Sequence, residues 1–395
     1  MKLRRAGWLL WGLRVELSML AGAVASVGCA GHDRAPAINL SPNSASGGKG
    51  SQETPAGGAS AGGQPGSADD APFSIDVTRC EPAGTPPAGG PFALIKLDRT
   101  GDVIGLCQNW VALADQKANA VEFLNVSSGA VQRVELTAAP LALSHDVKRG
   151  LLFAQLSGAT KLARIDLSTL EVQEFQVPAE LRHLAVGPDG VLFTLDKDTL
   201  AILSEDDGSL LGSTTDIDLG GRVAVLPDSN EVIVADLGYS PSSLKRFSFD
   251  ATTYALTLEE TLWDAGTNGQ DVKISSDGKH LAFPCGGGNG SGYTIFDYSP
   301  RDFSAVAGEW PIGAYPREAA FSYDNSLIAT ADDARLVFYD VAKHAEKHHI
   351  DNALQGSNCD YVSISQLRYS YDDHNVMALF SCGFEGDSAV LAVSF

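Results

Sequence analysis

Five polar side chains stand at matching places in this sequence of 395 residues. His183, Arg222, Asp271, Glu318 and Gln366 each precede an aspartate of a short turn by the same interval, the aspartates being Asp189, Asp228, Asp277, Asp324 and Asp372. Phe92 and Pro140 hold the same place before Asp98 and Asp146. Histidine, aspartate and glutamate are hard or borderline metal ligands, so His183, Asp271 and Glu318 could hold a metal or a polar ligand if the fold gathers them. The plainer chemistry is a bracing ring, with Arg222 paired to Asp271 and water filling the centre. Arg182, Gln270 and Arg317, one residue earlier, can share either role. A second set, His344, Glu346, His348 and His349, has ligand types for zinc or copper, but it falls in a solvated rim turn beside Lys343 and Lys347.

Other chemistry lacks its motif. There is no Gly-x-Ser-x-Gly nucleophile elbow and no Cys-x-x-Cys-His haem site. The acidic runs at Glu205-Asp206-Asp207, Asp196-Lys197-Asp198 and Asp332-Asp333 do not follow the spacing that wraps calcium, and they read as hairpin turns. The glycine-rich stretch after Cys285 leads into a strand, so no helix N-terminus follows to hold phosphate. Cys285 itself has neither a base nor a cation beside it in sequence. No catalytic residue, resident metal or cofactor is therefore assigned.

The elements that must position these residues repeat. Asp271 to Phe283 reads as an alternating strand, a tight Ser-Ser-Asp-Gly turn and a second apolar strand. Asp bonds its own backbone in such a turn and Gly takes positive φ. Further copies follow His183, Arg222 and Glu318, with weaker ones at Ala142, Leu367 and Leu94. The turn aspartates Asp98, Asp146, Asp189, Asp228, Asp277, Asp324 and Asp372 recur roughly every 39 to 49 residues, a period that signals propeller blades. Third strands are expected at Ala163–Leu167, Tyr293–Asp297 and Leu336–Val341, and fourth strands at Glu171–Val177 and His348–Ile350. The pattern predicts an all-β, seven-bladed β-propeller of four-stranded blades over residues 72–395. The last blade is short of one strand, and Phe73–Val77 is expected to supply it from the N-terminal side, leaving no open edge.

The repeats resemble the YVTN-type and WD-repeat-like propellers of exported bacterial proteins, whose core runs Val-x-x-Ser-x-Asp-Gly-x-x-Leu. That resemblance implies the fold. Function it leaves open, since similar repeats serve scaffolds, the Tol-system propeller, lactonase-like enzymes and haem or quinone enzymes.

Residues 1–28 have a basic start, an apolar stretch broken by Arg14 and Glu16, and small residues before Cys29. They read as a signal peptide. Ser26-Val27-Gly28-Cys29 resembles a bacterial lipobox with Ser in place of Leu, which implies diacylglycerol on Cys29. Residues 29–71 are then a Gly/Ser/Pro/Ala tether too poor in apolar side chains to fold. Export permits disulfides, and the blade positions suggest Cys80–Cys107 and Cys359–Cys382, leaving Cys285 a thiol. A net charge of −21 repels phosphate backbones and argues against nucleic acid. The expectation is a monomeric, membrane-anchored binding or scaffold module of the cell envelope, placed at the outer membrane, with a protein, peptide or glycan partner on a propeller face. The alternative is a lactonase-like hydrolase with a metal or acid/base site at the channel mouth.

Overall fold

The serine and aspartate of the repeat turn do the same work in each strong copy. Ser275, Ser322 and Ser370 each donate Oγ–H to the aspartate two residues on, Asp277, Asp324 and Asp372, at 2.7 Å. Each hydroxyl also accepts a backbone N–H from across the turn, from His280, Leu327 and Asn375, at 3.0 Å. Such turns join the first two strands of a blade, and Gly278 supplies the positive φ (66°) there. Asp189 and Asp228 take positive φ themselves at the corresponding turns.

The computed structural model describes Ile75, Cys80, residues 92–97 and residues 101–394, apart from 126–127, 159, 179–180, 287–292, 304–305, 313–315, 333–334, 351–361, 374 and 383–386. The leader, Cys29, the tether, Asp98 and Cys359 lie outside the described residues.

Strand β1 (Phe92–Leu97) comes first. Blade 1 is β2 (Val103–Gly105), β3 (Trp110–Asp115), β4 (Ala120–Asn125) and β5 (Val131–Glu135). Blade 2 is β6 (Pro140–Asp146), β7 (Leu151–Leu156), β8 (Lys161–Asp166) and β9 (Val172–Gln176). Blade 3 is β10 (His183–Val186), β11 (Val191–Leu195), β12 (Leu200–Ser204) and β13 (Leu210–Thr214). Blade 4 is β14 (Gly220–Val225), β15 (Glu231–Asp236), β16 (Ser242–Phe249) and β17 (Leu256–Gly266). Blade 5 is β18 (Lys273–Ile274), β19 (Leu281–Cys285), β20 (Thr294–Tyr298) and β21 (Val306–Pro311). Blade 6 is β22 (Ala319–Phe321), β23 (Leu327–Asp332), β24 (Arg335–Asp340) and β25 (Ala345–Ile350). A composite sheet joins β26 (Val362–Tyr369), β27 (Asn375–Cys382) and β28 (Asp387–Ser394) to β1, in the order β1-β28-β27-β26. All the pairings are antiparallel, and the architecture is an all-β propeller of four-stranded blades.

The core lies between adjacent sheets. Phe153, Phe193 and Phe283 on second strands and Phe123, Phe247 and Phe338 on third strands are fully buried. Each contributes about 1.5–3 kcal/mol by burial. The composite sheet packs on blade 6 through Leu367, Tyr369 and Val376 against Leu327 and Phe338, and on blade 1 through Met377 and Leu379 against Val103 and Leu113. At the second contact Gly105 has no room for a side chain: a Cβ there would stand 2.0 Å from Met377 Cε.

The edge strand is not the expected one. β1 (Phe92–Leu97) pairs with β28, from Phe92↔Val393 to Leu97↔Ser388. Phe73–Val77 does not fill that place. Only Ile75 of that segment is described; it is buried and donates its N–H to Leu167 O of blade 2 at 3.3 Å. The inner hairpin of blade 1 is therefore not the one ending at Asp98. Its turn is Leu106-Cys107-Gln108-Asn109, closed by Leu106 N–H to Trp110 O at 2.9 Å. The turn lacks the Asp-Gly signature because Gln108 and Asn109 carry the positive φ, 57° and 64°.

Candidate functional site

Once blade 1 is set in register, its residue at the ring position is Asp102, not Phe92, which lies in the edge strand β1. The ring residues share a lateral hydrogen bond. Gln366 Oε1 accepts the N–H of Val103 (3.3 Å), Asp102 Oδ2 that of Leu143 (2.8 Å), and His183 Nδ1 that of Val223 (3.2 Å). Each side chain thus satisfies an inner-strand amide of the next sheet, at a cost of roughly 1–3 kcal/mol if that buried group were left bare. Pro140 opens β6 and offers no polar side chain to this pattern.

The charged members form a network. Asp271 is fully buried. Arg222 Nε stands 3.6 Å from its Oδ1, and Lys273 Nζ 2.8 Å from its Oδ2. Lys273 Nζ is also 3.8 Å from Glu318 Oε2, to which Arg368 donates at 3.2 Å. The expected Arg222–Asp271 pair exists, but Lys273 and Arg368 extend it. Both lie two residues past the ring, after Asp271 and Gln366, and so on the same strand face. That spacing was the readable signal for them.

Charge and burial compete here. Burial would raise the pKa of Asp271, but Lys273, Arg222 and Arg368 outweigh it and hold the carboxyl below its usual value. Burial and the neighbouring Asp271 charge raise that of Glu318, despite Lys273 and Arg368. Burial also raises Asp102, against the pull of Arg368. Burial, then Arg222 and Lys273, push His183 well below its ordinary value, so its ring is neutral. His145 is likewise lowered, to about 4, mainly by burial.

The arrangement joins ring residues from six sheets: Asp102, His183, Arg222, Asp271, Glu318 and Gln366. Among the described residues no three His, Cys, Asp or Glu side chains are grouped as a metal site. His183, Asp271 and Glu318 do not converge on one point, because Arg222 and Lys273 stand against the carboxylates. Arg182, Gln270 and Arg317 are exposed. Arg182 approaches Asp196 at 4.0 Å, and Gln270 bonds Asn268 O at 2.9 Å.

The rim histidines also separate. His349 Nδ1 pairs with Glu346 Oε1 at 2.5 Å, and His348 stacks on Phe338. His344 turns inward, its ring 4.9 Å from that of Trp310. Its Nε2 bonds Asp297 Oδ2 at 2.7 Å, and His280 Nδ1 bonds the same oxygen at 2.8 Å. Sequence reading kept His344 with its neighbours and missed Asp297 and His280, which lie in blade 5. The acidic turn at Glu205 is structural: Glu205 pairs with Arg149 (2.6 Å), Asp206 with Arg164 (2.9 Å), and Asp207 accepts the N–H of Ser209 (3.0 Å).

Cys80 and Cys107 form a disulfide with Cα atoms 5.6 Å apart. With the first repeat read at Asp98, Cys107 would end the second strand of blade 1, beside the ring positions. It lies instead in the β2–β3 turn, the opposite end of the blade, because blade 1 begins later than its weak repeat suggested. Cys285 is a buried thiol whose Sγ approaches Thr294 O at 3.7 Å. Cys382 falls in β27, but its pairing with Cys359 lies outside the described residues.

No protein-family model matches the chain, and no curated protein does. Among solved structures the chain is similar to hydrazine synthase of Kuenenia stuttgartiensis. The match has a TM-score of 0.54 at 13% identity and covers 75% of this chain and 96% of the other. The fold is a β-propeller. At that identity the likeness extends to the fold alone.

Proposed function

We propose that this chain is an exported, lipid-anchored propeller of the cell envelope that works as a binding or scaffold module. The observation that carries the reading is the state of the inner ring. Its cations and carboxylates neutralise one another, its histidine, His183, is neutral, and three of its members are spent on amides of the next sheet. A ring so engaged braces the strands and leaves recognition to the faces. The composite sheet is taken as the seventh blade, since it packs on both blade 1 and blade 6. The repeats belong with the YVTN and WD-like group on the Ser-x-Asp-Gly chemistry of their turns. Residues 1–28 act as leader, Cys29 takes the lipid, 29–71 form the tether, and the propeller is a monomer held at the outer membrane.

The lactonase-like alternative is tested by assaying the purified full chain on a panel of lactones with calcium, magnesium, manganese or zinc. The reading expects no turnover above that of the Glu318→Gln variant. Metal-stimulated hydrolysis that Glu318→Gln abolishes would overturn it.

A further inference from the structure

The most exposed large apolar side chains among the described residues are both aromatic, and both line one groove. Trp263 is 68% exposed and Tyr239 59%. Together with Asp218, Asp236, Ser243 and Asp264 they line a cavity of about 450 Å³ on blade 4. Small-ligand sites span roughly 300–1,000 Å³.

The backbone is built to present the indole. β17 is eleven residues long. Between the pairs Leu244↔Leu262 and Ser242↔Gly266, its register slips against β16. Trp263, Asp264 and Ala265 therefore face Ser243 alone, and Asp264 takes a φ of 62°. Bulges of this kind re-aim side chains and concentrate beside binding sites. An ordinary ladder would have hydrogen-bonded this stretch and laid Trp263 along the sheet.

The polar floor already carries its own cation, Lys245, among the carboxylates of Asp218, Asp236 and Asp264. Lys245 Nζ lies 2.9 Å from Asp218 Oδ2 and 3.1 Å from Asp236 Oδ2, and donates to Asp216 O at 3.0 Å. Its three protons are thus engaged. Asp236 Oδ1 also accepts the N–H of Leu219 at 3.2 Å. The ammonium stands 6.0 Å from the Trp263 ring centroid, the outer limit of a cation–π contact. The cation place in this groove is therefore filled by the protein itself, and a second cation would meet Lys245. Asp218 and Asp264 still turn carboxylate oxygens to solvent. Two aromatic faces flanked by carboxylate acceptors, over a floor whose cation position Lys245 already fills, suit an uncharged polyhydroxylated ligand. Its C–H faces would stack on the rings, and its hydroxyls would donate charge-assisted bonds to the carboxylates.

We infer that the groove of blade 4 is a binding site for a neutral carbohydrate, with Trp263 and Tyr239 as stacking platforms and Asp218 and Asp264 as hydroxyl acceptors. This rests on the binding-module reading and gives it a ligand class. The test titrates the full chain with maltohexaose, cellohexaose, laminarihexaose and chitohexaose, following tryptophan fluorescence and heat. One of them should saturate at millimolar concentration or below. Trp263→Ala should weaken it at least about tenfold, a loss of about 1.4 kcal/mol, and Trp263→Phe should weaken it less. The melting temperature should not move, since the indole is exposed. Failure of all four to saturate, or binding indifferent to Trp263→Ala, would overturn the assignment. A parallel titration with a tetralysine peptide separates the two readings. Peptide binding lost in Trp263→Ala would remove the carbohydrate and keep the binding module; silence from sugars and peptide alike would remove both from this face.

Discussion

Asp297 shows how one carboxylate can make a blade junction depend on pH. It is fully buried, and a single oxygen serves His280 of its own blade and His344 of the next. The groups around His280 are Asp297, Asp277, Lys279, the ring of Phe321 and His344, which shares the Asp297 oxygen. Its hydrogen bond to Asp297 raises its pKa above the ordinary 6.5, and burial only partly opposes this. A raised histidine stabilises the fold fully below the unfolded value and loses that contribution as pH climbs through the folded one. Glu318 acts in the same direction: its raised pKa means that the folded state keeps a proton the unfolded state has released above 4.5. The melting temperature should therefore fall as pH rises through neutrality, and His280→Gln should flatten the part of that slope above 6.5. A profile that His280→Gln leaves unchanged would show that His280 does not supply that slope. Asp297 could not be read in the sequence as a histidine acceptor, because its partners lie at a distance set by blade packing. Lys273 and Arg368 could have been, by counting two along an inner strand from Asp271 and Gln366.

At the level of elements, the legible parts were those with local causes. The Ser-x-Asp turn closes on itself through two hydrogen bonds within six residues, so blades 5 and 6 could be placed from their own letters. Blade 1 has no such turn. Gln108 and Asn109 replace Asp and Gly, and Gln108 N–H is held by Asp372 Oδ2 of the composite sheet at 2.6 Å. A turn supported from outside carries no local signature, and the register slid back to Asp98. The same error exchanged Phe73–Val77 for Phe92–Leu97 as the edge strand and hid Asp102. The blade 4 bulge was invisible for a similar reason, since it is a mismatch between two strands rather than a pattern within one. The Cys80–Cys107 bond pins the segment around Ile75 and Cys80 onto the core under blades 1 and 2. With the two cysteines 27 positions apart in sequence, Cys80→Ser should cost about 2–4 kcal/mol. Denaturant unfolding of the two forms measures it. A variant as stable as the parent would mean that this segment adds nothing to the closure.

At the scale of the whole molecule, blade 5, blade 6 and the composite sheet are tied at both ends of their inner strands. At the turn end, Asp373 accepts the N–H groups of Tyr323 (2.7 Å) and Asp324 (2.8 Å), and Asn325 accepts that of Ser276 (2.8 Å). At the other end the ring residues do the same work, with the Arg222–Asp271–Lys273–Glu318–Arg368 network at their centre. Repetition thus supplies the frame, and the departures from it supply the distinctive places: an edge strand from the N-terminal side, a carboxylate shared by two histidines, and an aromatic groove. The claim on which the functional reading turns is that the ring braces and does not react. Asp271→Asn decides it, with stability and carbohydrate binding measured on the same preparation. If the ring braces, the variant leaves Arg222 without its carboxylate and Lys273 with Glu318 alone and loses about 3–5 kcal/mol, while its folded fraction binds as the parent does. An Asp271→Asn protein as stable as the parent but lacking its function would contradict the account, because it would place the work of the molecule in the ring.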